Sequence, residues 1–278
     1  MKFNLIPTSL TALSVLLATG LGACTQNQPQ QEEPDVAFKV LKSQVAYTLD
    51  GSASAFASDS DLSFGSEIDM LLPVKAYGTD LAQLRDSILE LAFDTVGVNY
   101  DALIQRRQLN CVAELGFPYT PIEADNDSSS VFLANLDGYS CVQGNVAYMS
   151  PEILSYQLIF SEYPMRAAHG DYTIRYLNYD FSTSKVFGLR DIFTPEGIAA
   201  LPQILKERAR TVQSVIGPTN LSELPAADNF FINNKGDIVF AYQPYEIASY
   251  AQGAVQVKVA PYRVSQYLTA YGKSLLLY

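Results

Sequence analysis

The sequence predicts an α+β protein with antiparallel or mixed sheets, each packed by a helix, in two subdomains. Long runs alternate apolar and polar residues, as at 67–77 and 153–163, which is the period of a strand with one buried face. Two other segments, 80–93 and 195–215, place apolar residues at helical spacing. Hydrophobic residues make up 48% of the chain, which is enough for a sizeable core.

The elements follow from local signals in chain order. Asp80 with Gln83 three residues later predicts a capping box, and Thr194 followed by Pro195 predicts a second helix start. The turn residues at 233–236 predict a hairpin over 230–242. We therefore expect strands at 36–49, 67–77, 153–163, 172–181 and 254–259, and helices at 80–93, 100–109, 195–215 and 261–271.

The N-terminus has the pattern of an exported lipoprotein. Lys2 precedes an uncharged apolar stretch at 10–21, and Leu21-Gly22-Ala23-Cys24 follows. A run of about a dozen residues is too short to span a bilayer about 30 Å thick. We predict a signal peptide at 1–23 and lipid modification of Cys24. An ordinary secretory signal cleaved after Ala23 is the alternative.

The predicted domains follow from composition. Residues 25–35 contain no apolar side chain, so 24–35 is predicted to be a flexible tether. An N-terminal α+β subdomain at 36–150 and a C-terminal domain at 151–278 follow, with a loop near 119–130 as a possible boundary. The expected location is the cell envelope, with the lipid on Cys24 as the membrane contact. Thr25 after the cysteine favours the outer membrane.

Charge and residue counts exclude several functions. The chain carries a formal charge of −11, which repels nucleic acid and would attract a basic partner, although acidity also serves solubility. It contains one His and three Cys, too few for a zinc-type metal site once Cys24 is lipidated. No glycine-rich phosphate loop is present, so no cofactor is expected.

The remaining cysteines, Cys111 and Cys141, are predicted to form a disulfide, because exported proteins occupy an oxidising compartment. Such a bridge is worth about 2–4 kcal/mol. Two free buried thiols are the alternative.

Two segments of the C-terminal half resemble motifs of a known exported domain. The first segment, 167–193, reads AAHGDYTIRYLNYDFSTSKVFGLRDIF. Its motif residues are His169-Gly170, Asn178-Tyr179-Asp180, Leu189, Asp191 and Phe193. The second, within 240–264, contains Tyr245-Glu246-Ile247-Ala248 and then Tyr250-Ala251 and Gly253. Together they resemble the domain of unknown function shared by RsiV-type anti-sigma factors and PdaC-type peptidoglycan deacetylases.

The resemblance implies a binding role more than an enzymatic one. In RsiV-type relatives the exported domain is a sensor that binds lysozyme. The deacetylase chemistry of the other relatives requires several His in a separate domain, and this chain contains a single His. The resemblance therefore covers about 154–278 and concerns the exported domain alone.

Tyr245, Glu246 and Tyr250 are the candidate binding residues, since aromatic rings and a carboxylate on an irregular segment can contact a protein or a sugar. The alternative is that Glu246 caps backbone N–H groups and the tyrosines pack in the core. His169 and Gly170 are expected to form a turn, and Asp180 and Asp191 to be turn and cap residues.

No catalytic residue is predicted, and we expect a protein that is not an enzyme. The expected function is non-catalytic binding or sensing at the cell envelope, with a lysozyme-like protein or a cell-wall glycan as partner. A hydrolase of cell-wall or glycan substrates, using a pair of Asp or Glu side chains, is the alternative.

Overall fold

The computed structural model describes residues 36–50, 62–122, 136–165, 167–216 and 228–277, with the backbone alone for 210–216. The predicted signal peptide and tether, including Cys24, lie outside the described residues. Pro34–Tyr278 form one compact unit. No helix in the described ranges is both long enough and apolar enough to cross a membrane.

A large mixed sheet forms the centre of the molecule. Its strands, as far as the chain is described, are β1 (Ala37–Leu49), β2 (Leu62–Ala76), β3 (Thr79–Asp80), β4 (Tyr119–Ile122), β5 (Gly138–Met149), β6 (Ile153–Tyr163), β7 (Asp171–Asp180) and β8 (Lys185–Phe187). Their order is β4-β1-β2-β5-β6-β7-β8, and β3 pairs with β2. β2 and β5 are parallel, whereas the other neighbours are antiparallel. The α+β prediction with a mixed sheet is confirmed.

Two helices cover one face of this sheet. They are α1 (Ala82–Phe93) and α2 (Tyr100–Ala113). Alternate residues of the strands point towards them, and the core beneath includes Ile68, Met70, Leu72, Leu154, Tyr156 and Leu158. Each of these side chains is at most 1% exposed. The strand period read from the sequence therefore marks the buried face correctly.

A smaller antiparallel sheet packs near the β6–β8 end of the large one. It contains β9 (Phe230–Ile232), β10 (Ile238–Tyr242) and β11 (Val255–Val259), and the predicted hairpin is its β9–β10 pair. Three helices accompany it, namely α3 (Leu189–Ile192), α4 (Pro195–Ile216) and α5 (Ala270–Leu276). Leu201 and Leu205 of α4 are fully buried with Phe240 and Val257 in this second core.

Buried polar side chains join the two sheets. The hydroxyl of Ser155 on β6 donates to Asn178 Oδ1 at 2.7 Å and accepts from the amide of Ile232 on β9 at 3.1 Å. Asn178 Nδ2 donates to the carbonyl of Phe230 at 2.9 Å. Because every member is hydrogen-bonded, the chain of contacts fixes one relative position of the sheets without an unpaired buried group.

Two local predictions need correction. Asp80 does not cap α1, because it belongs to β3 and its carboxylate pairs with Arg85 at 3.2 Å. The N-cap of α1 is Leu81, and Gln83 instead accepts from the amide of Val186 on β8. The helix expected at 261–271 is two short 3₁₀ turns, Pro261–Arg263 and Ser265–Tyr267, followed by α5.

The suggested boundary near residue 150 falls in the turn between β5 and β6. These strands pair from Tyr139↔Tyr163 to Met149↔Leu154, so one sheet contains strands from both halves of the chain.

Three apolar side chains on the neighbouring strands β1 and β2 are exposed to solvent, namely Phe38, Val40 and Leu71.

Candidate binding site

Four aromatic side chains come together near the start of β7. His169 lies in the turn before this strand and Tyr172 in its first residues, whereas Tyr245 and Tyr250 follow β10. The Tyr250 ring stacks with His169 at a centroid distance of 4.5 Å and with Tyr245 at 5.5 Å. Tyr172 meets Tyr250 edge-on at 6.4 Å. We call these four side chains the aromatic platform.

A tight turn after β10 holds the most exposed ring of the platform. Glu246 N donates to Gln243 O at 3.1 Å, and Glu246 Oε2 accepts from Gln243 N at 2.7 Å. Between them Tyr245 has φ +68°, a left-handed conformation that costs an L-residue about 1–2 kcal/mol. The residue is 59% exposed. A bulky residue kept in strained backbone with its ring in solvent is a candidate for function.

Two amide side chains attach this part of the chain to β7. Gln243 Oε1 accepts from the amide of Ile174 at 2.8 Å, and its Nε2 donates to the carbonyl of Ile174 at 2.7 Å. Asn229 Oδ1 accepts from the amide of Tyr176 at 2.9 Å. β8 pairs with β7 only at 178–180. The two amide side chains therefore bond the backbone of β7 at Ile174 and Tyr176, beyond the part that pairs with β8. Sequence reasoning missed both; the available signal was an amide residue just outside each end of the predicted hairpin.

His169 connects the turn before β7 to the turn after β10. Its Nδ1 lies 2.8 Å from the carbonyl of Gly170, which can only accept, so Nδ1 carries the proton in the neutral ring. Nε2 is then an acceptor for the hydroxyl of Tyr245, 3.3 Å away. The predicted backbone-bonding turn at His169 and Gly170 matches this geometry, which adds a contact with Tyr245 that the sequence did not indicate.

Tyr172 anchors the far side of the loop. Its hydroxyl accepts from the amide of Ala254 at 2.9 Å. Gly253, just before, has φ +69°, and a Cβ at this position would lie 2.9 Å from the same hydroxyl oxygen. The positive φ therefore favours glycine here, and a larger residue would also displace the Tyr172 hydroxyl.

The surroundings of the platform are anionic. Glu246 and Asp171 are exposed, and Asp171 Oδ1 accepts from the amide of Tyr172 at 2.8 Å. Burial raises the pKa of the Tyr250 phenol, and the nearby Asp171, Tyr172 and Tyr245 raise it further. A positively charged group would be favoured beside these side chains.

The structure thus brings Tyr245, Glu246 and Tyr250 together with His169, which lies 76 positions from Tyr245 in the chain. Tyr245 is not a core residue. Glu246 does bond local backbone, as the alternative interpretation expected, through Oε2. That these residues bind a partner stays a prediction.

Asp180 and Asp191 lie in separate structural positions. Asp180 is fully buried, and its carboxylate accepts from Ser182 N, Ser182 Oγ, Thr183 Oγ1 and Tyr271 Oη at 2.7–2.9 Å. Burial opposes ionisation, but these hydrogen bonds outweigh it and lower the pKa of Asp180. Asp191 Oδ2 accepts from Gly188 N at 2.7 Å and so caps α3.

The predicted disulfide is not present in the structure, in which Cys111 and Cys141 are both free thiols. Cys111 lies on α2, and its Sγ is 3.7 Å from the hydroxyl of Ser140, which faces the helices. Cys141 is the next residue along β5 and points to the opposite face, beside Glu67. Burial raises the pKa of the Cys141 thiol to about 12, with Glu67 and Asp69 adding to the shift. Alternation along the strand therefore separates the two sulfur atoms.

No group of three or more His, Cys, Asp or Glu side chains is placed to hold a metal ion within the described ranges. A cleft of about 520 Å³ lies elsewhere, between α5 and the β7–β8 turn, lined by Tyr77, Glu152, Asp180 and Tyr271 among others.

One family model matches part of the sequence, and solved structures match the fold. The model of the family described as "Protein of unknown function (DUF3298)" matches residues 190–262, a range that includes Tyr245, Glu246 and Tyr250. The match concerns this part of the chain, about a quarter of its length. No curated protein matches the sequence.

Two solved structures share the fold over most of the chain. A DUF3298 family member from Bacteroides fragilis is 20% identical with a TM-score of 0.62, and the match covers 85% of this chain and 95% of that one. A DUF3298 family protein from Pseudomonas aeruginosa is 16% identical with a TM-score of 0.51 and the same coverage. At these identities the similarity concerns the fold.

Proposed function

We propose that this protein is an exported lipoprotein of the cell envelope that binds a partner, without catalysis, through the aromatic platform. The observation that carries the proposal is the exposed Tyr245 ring, which a strained and hydrogen-bonded turn holds against His169 and Tyr250. Preorganised aromatic side chains contribute much of the energy of protein interfaces, because little conformational entropy is lost when they bind.

A basic, lysozyme-like protein is the proposed partner. The motifs around His169 and Tyr245 resemble those of the RsiV-type and PdaC-type exported domain, and in the RsiV-type relatives that domain binds lysozyme. The net charge of −11 and the carboxylates of Glu246 and Asp171 favour encounter with a basic protein.

A titration of the detergent-solubilised chain with lysozyme at low and high salt tests this partner. We expect a dissociation constant on the order of micromolar or tighter, and weaker binding as salt screens the charges. Tyr245→Ala should weaken the complex, whereas Tyr262→Ala, at an exposed tyrosine outside the platform, should not. Absence of binding at low salt would exclude lysozyme. Peptidoglycan fragments, added as competitor, test the glycan as the second candidate partner, since open tyrosine faces can also pack against sugar rings.

The lipid anchor is tested separately. Cells given labelled palmitate should incorporate it into the wild-type chain and not into Cys24→Ala. An unacylated mature protein would contradict the anchor and leave the binding proposal unchanged. The outer membrane is the proposed destination because Thr25 follows the modified cysteine.

A carboxylate-dependent hydrolase is the alternative function, and one pair of side chains favours it. Glu67 and Asp69 lie on the same face of β2, about 6–7 Å apart along the strand. Burial raises the pKa of Glu67, with Asp69 adding to the shift, as a general acid requires. If turnover of peptidoglycan fragments occurs and Glu67→Gln abolishes it, the protein is an enzyme; we expect no turnover.

A further inference from the structure

The molecule already places guanidinium groups over its own aromatic rings. Arg263 lies over the Tyr262 ring at 5.5 Å, and Arg107 over the Phe160 ring at 5.8 Å. Tyr245 is exposed to nearly the same extent as Tyr262, 59% against 66%. No cation lies over the Tyr245 ring among the described residues. One face of the Tyr245 ring packs against Tyr250, and with the residue 59% exposed we infer that the other face can receive a cation from another molecule.

Two carboxylates, those of Glu246 and Asp171, adjoin the platform. Glu246 follows Tyr245 directly, and a carboxylate has about four lone-pair positions, of which one is used by Gln243 N. Asp171 lies beside Tyr172 and close enough to Tyr250 to raise the pKa of its phenol. A cation on the platform would thus have two carboxylates in its surroundings.

The geometry favours arginine over lysine. The guanidinium is planar and has five N–H donors at its edge, so it can stack on a ring and donate to a carboxylate at the same time. The Lys ammonium is a strongly hydrated point charge that cannot stack. The rings of His169, Tyr245 and Tyr250 lie within 26–35° of one another, which provides nearly parallel faces for a planar group.

We propose that the aromatic platform is a guanidinium site, which takes an arginine side chain of the basic partner over Tyr245 and pairs it with Glu246. The proposal rests on the proposed binding function and names the chemical group that the site recognises.

Two short glycine-based peptides that differ only in carrying arginine or lysine test it, with the full chain in detergent. The arginine peptide should bind at least about fivefold tighter than the lysine peptide and should compete with lysozyme. Tyr245→Ala should weaken arginine-peptide binding about tenfold, and Glu246→Gln about fivefold. Tyr245→Phe keeps the ring and should stay within about twofold of wild type. Tyr262→Ala is the matched control, and unfolding curves verify that each variant is folded.

The possible results separate this proposal from the one on which it rests. Equal binding of the two peptides would overturn the guanidinium site, since charge alone would explain it. Lysozyme binding that survives Tyr245→Ala, with an inert arginine peptide, would also overturn it and leave a lysozyme-binding protein with its interface elsewhere. If peptidoglycan fragments bind the platform and neither peptide does, the site is a glycan site and the proposal fails.

Discussion

At the residue scale, Tyr245 combines an exposed ring with a backbone conformation that glycine would adopt more easily. Of the non-glycine residues with positive φ in the described ranges, Tyr77, Asp94, Ser184 and Tyr245, it is the one in the platform. A contribution of the Tyr245 ring to binding would explain why a strained backbone conformation is kept at this exposed residue.

Replacement of Tyr245 separates the strain from the ring. Tyr245→Gly and Tyr245→Ala both remove the ring, but alanine keeps the strained φ of +68°. We expect the glycine variant to unfold with a free energy about 1 kcal/mol higher than that of the alanine variant. Urea unfolding of both measures this difference. Equal stabilities would mean that the turn relaxes when the ring is removed.

The buried Asp180 carboxylate stabilises the fold, because it accepts hydrogen bonds from Ser182, Thr183 and Tyr271. Asp180→Asn replaces one acceptor oxygen by an N–H donor facing Thr183 and Tyr271, so we expect a loss of about 1–3 kcal/mol near neutral pH. Urea unfolding at neutral pH measures it, and Asp86→Asn, at an exposed acid on α1, is the control.

The pKa of Asp180 gives this variant a pH dependence. Because the folded-state pKa lies below the ordinary value, the carboxylate stabilises the fold above that ordinary value, about pH 4. The stabilisation is lost as pH falls through the folded-state pKa. The difference in stability between wild type and Asp180→Asn should therefore shrink below about pH 4. A difference that grows on acidification would contradict the assigned charge state.

At the element scale, strands β5 and β6 bring a buried tyrosine hydroxyl against a glycine. The Tyr156 hydroxyl is fully buried, and it has no hydrogen-bond partner in the described structure. It lies over Gly144, where an added Cβ would collide with the hydroxyl oxygen and lie 3.1 Å from Cζ. The missing side chain of Gly144 therefore leaves the room that the Tyr156 ring and hydroxyl occupy.

Tyr156→Phe should raise the free energy of unfolding by about 1 kcal/mol, because a buried hydroxyl without a partner is removed and the ring stays. Gly144→Ala should destabilise the wild type and destabilise Tyr156→Phe less. Chemical denaturation of the four proteins in this double-mutant cycle gives the coupling. An additive cycle would show that the hydroxyl does not limit the space at Gly144.

Helix starts also belong to this scale, and their prediction was uneven. Thr194 accepts from Gly197 N at 3.1 Å as expected, because both groups of this cap lie within one turn of the chain. Asp80 has a suitable sequence context, but its backbone pairs with β2 in β3. That pairing is also local, because Asp80 pairs with Lys75 across the tight turn at Tyr77 and Gly78, and a capping pattern does not take such a hairpin into account.

At the scale of the whole molecule, the free cysteines predict insensitivity to reductant. A bridge between Cys111 and Cys141 would be worth about 2–4 kcal/mol. We expect the thermal unfolding midpoint to be the same with and without reductant, and both thiols to react with an alkylating agent after unfolding without reductant. A shift on a non-reducing gel would contradict the structure.

The sequence by itself determined the strand and helix periods, the hairpin at 230–242 and the acidic charge, because each depends on neighbouring residues or on composition. It also singled out Tyr245, Glu246 and Tyr250. Only the tertiary structure decided that His169 and Tyr172 join Tyr245 and Tyr250, that Gln243 and Asn229 complete the edge of β7, and that Cys111 and Cys141 lie on opposite faces of the sheet. The physical reason is that contacts between distant segments depend on which strand faces and edges meet, and one chain's local pattern does not specify that meeting.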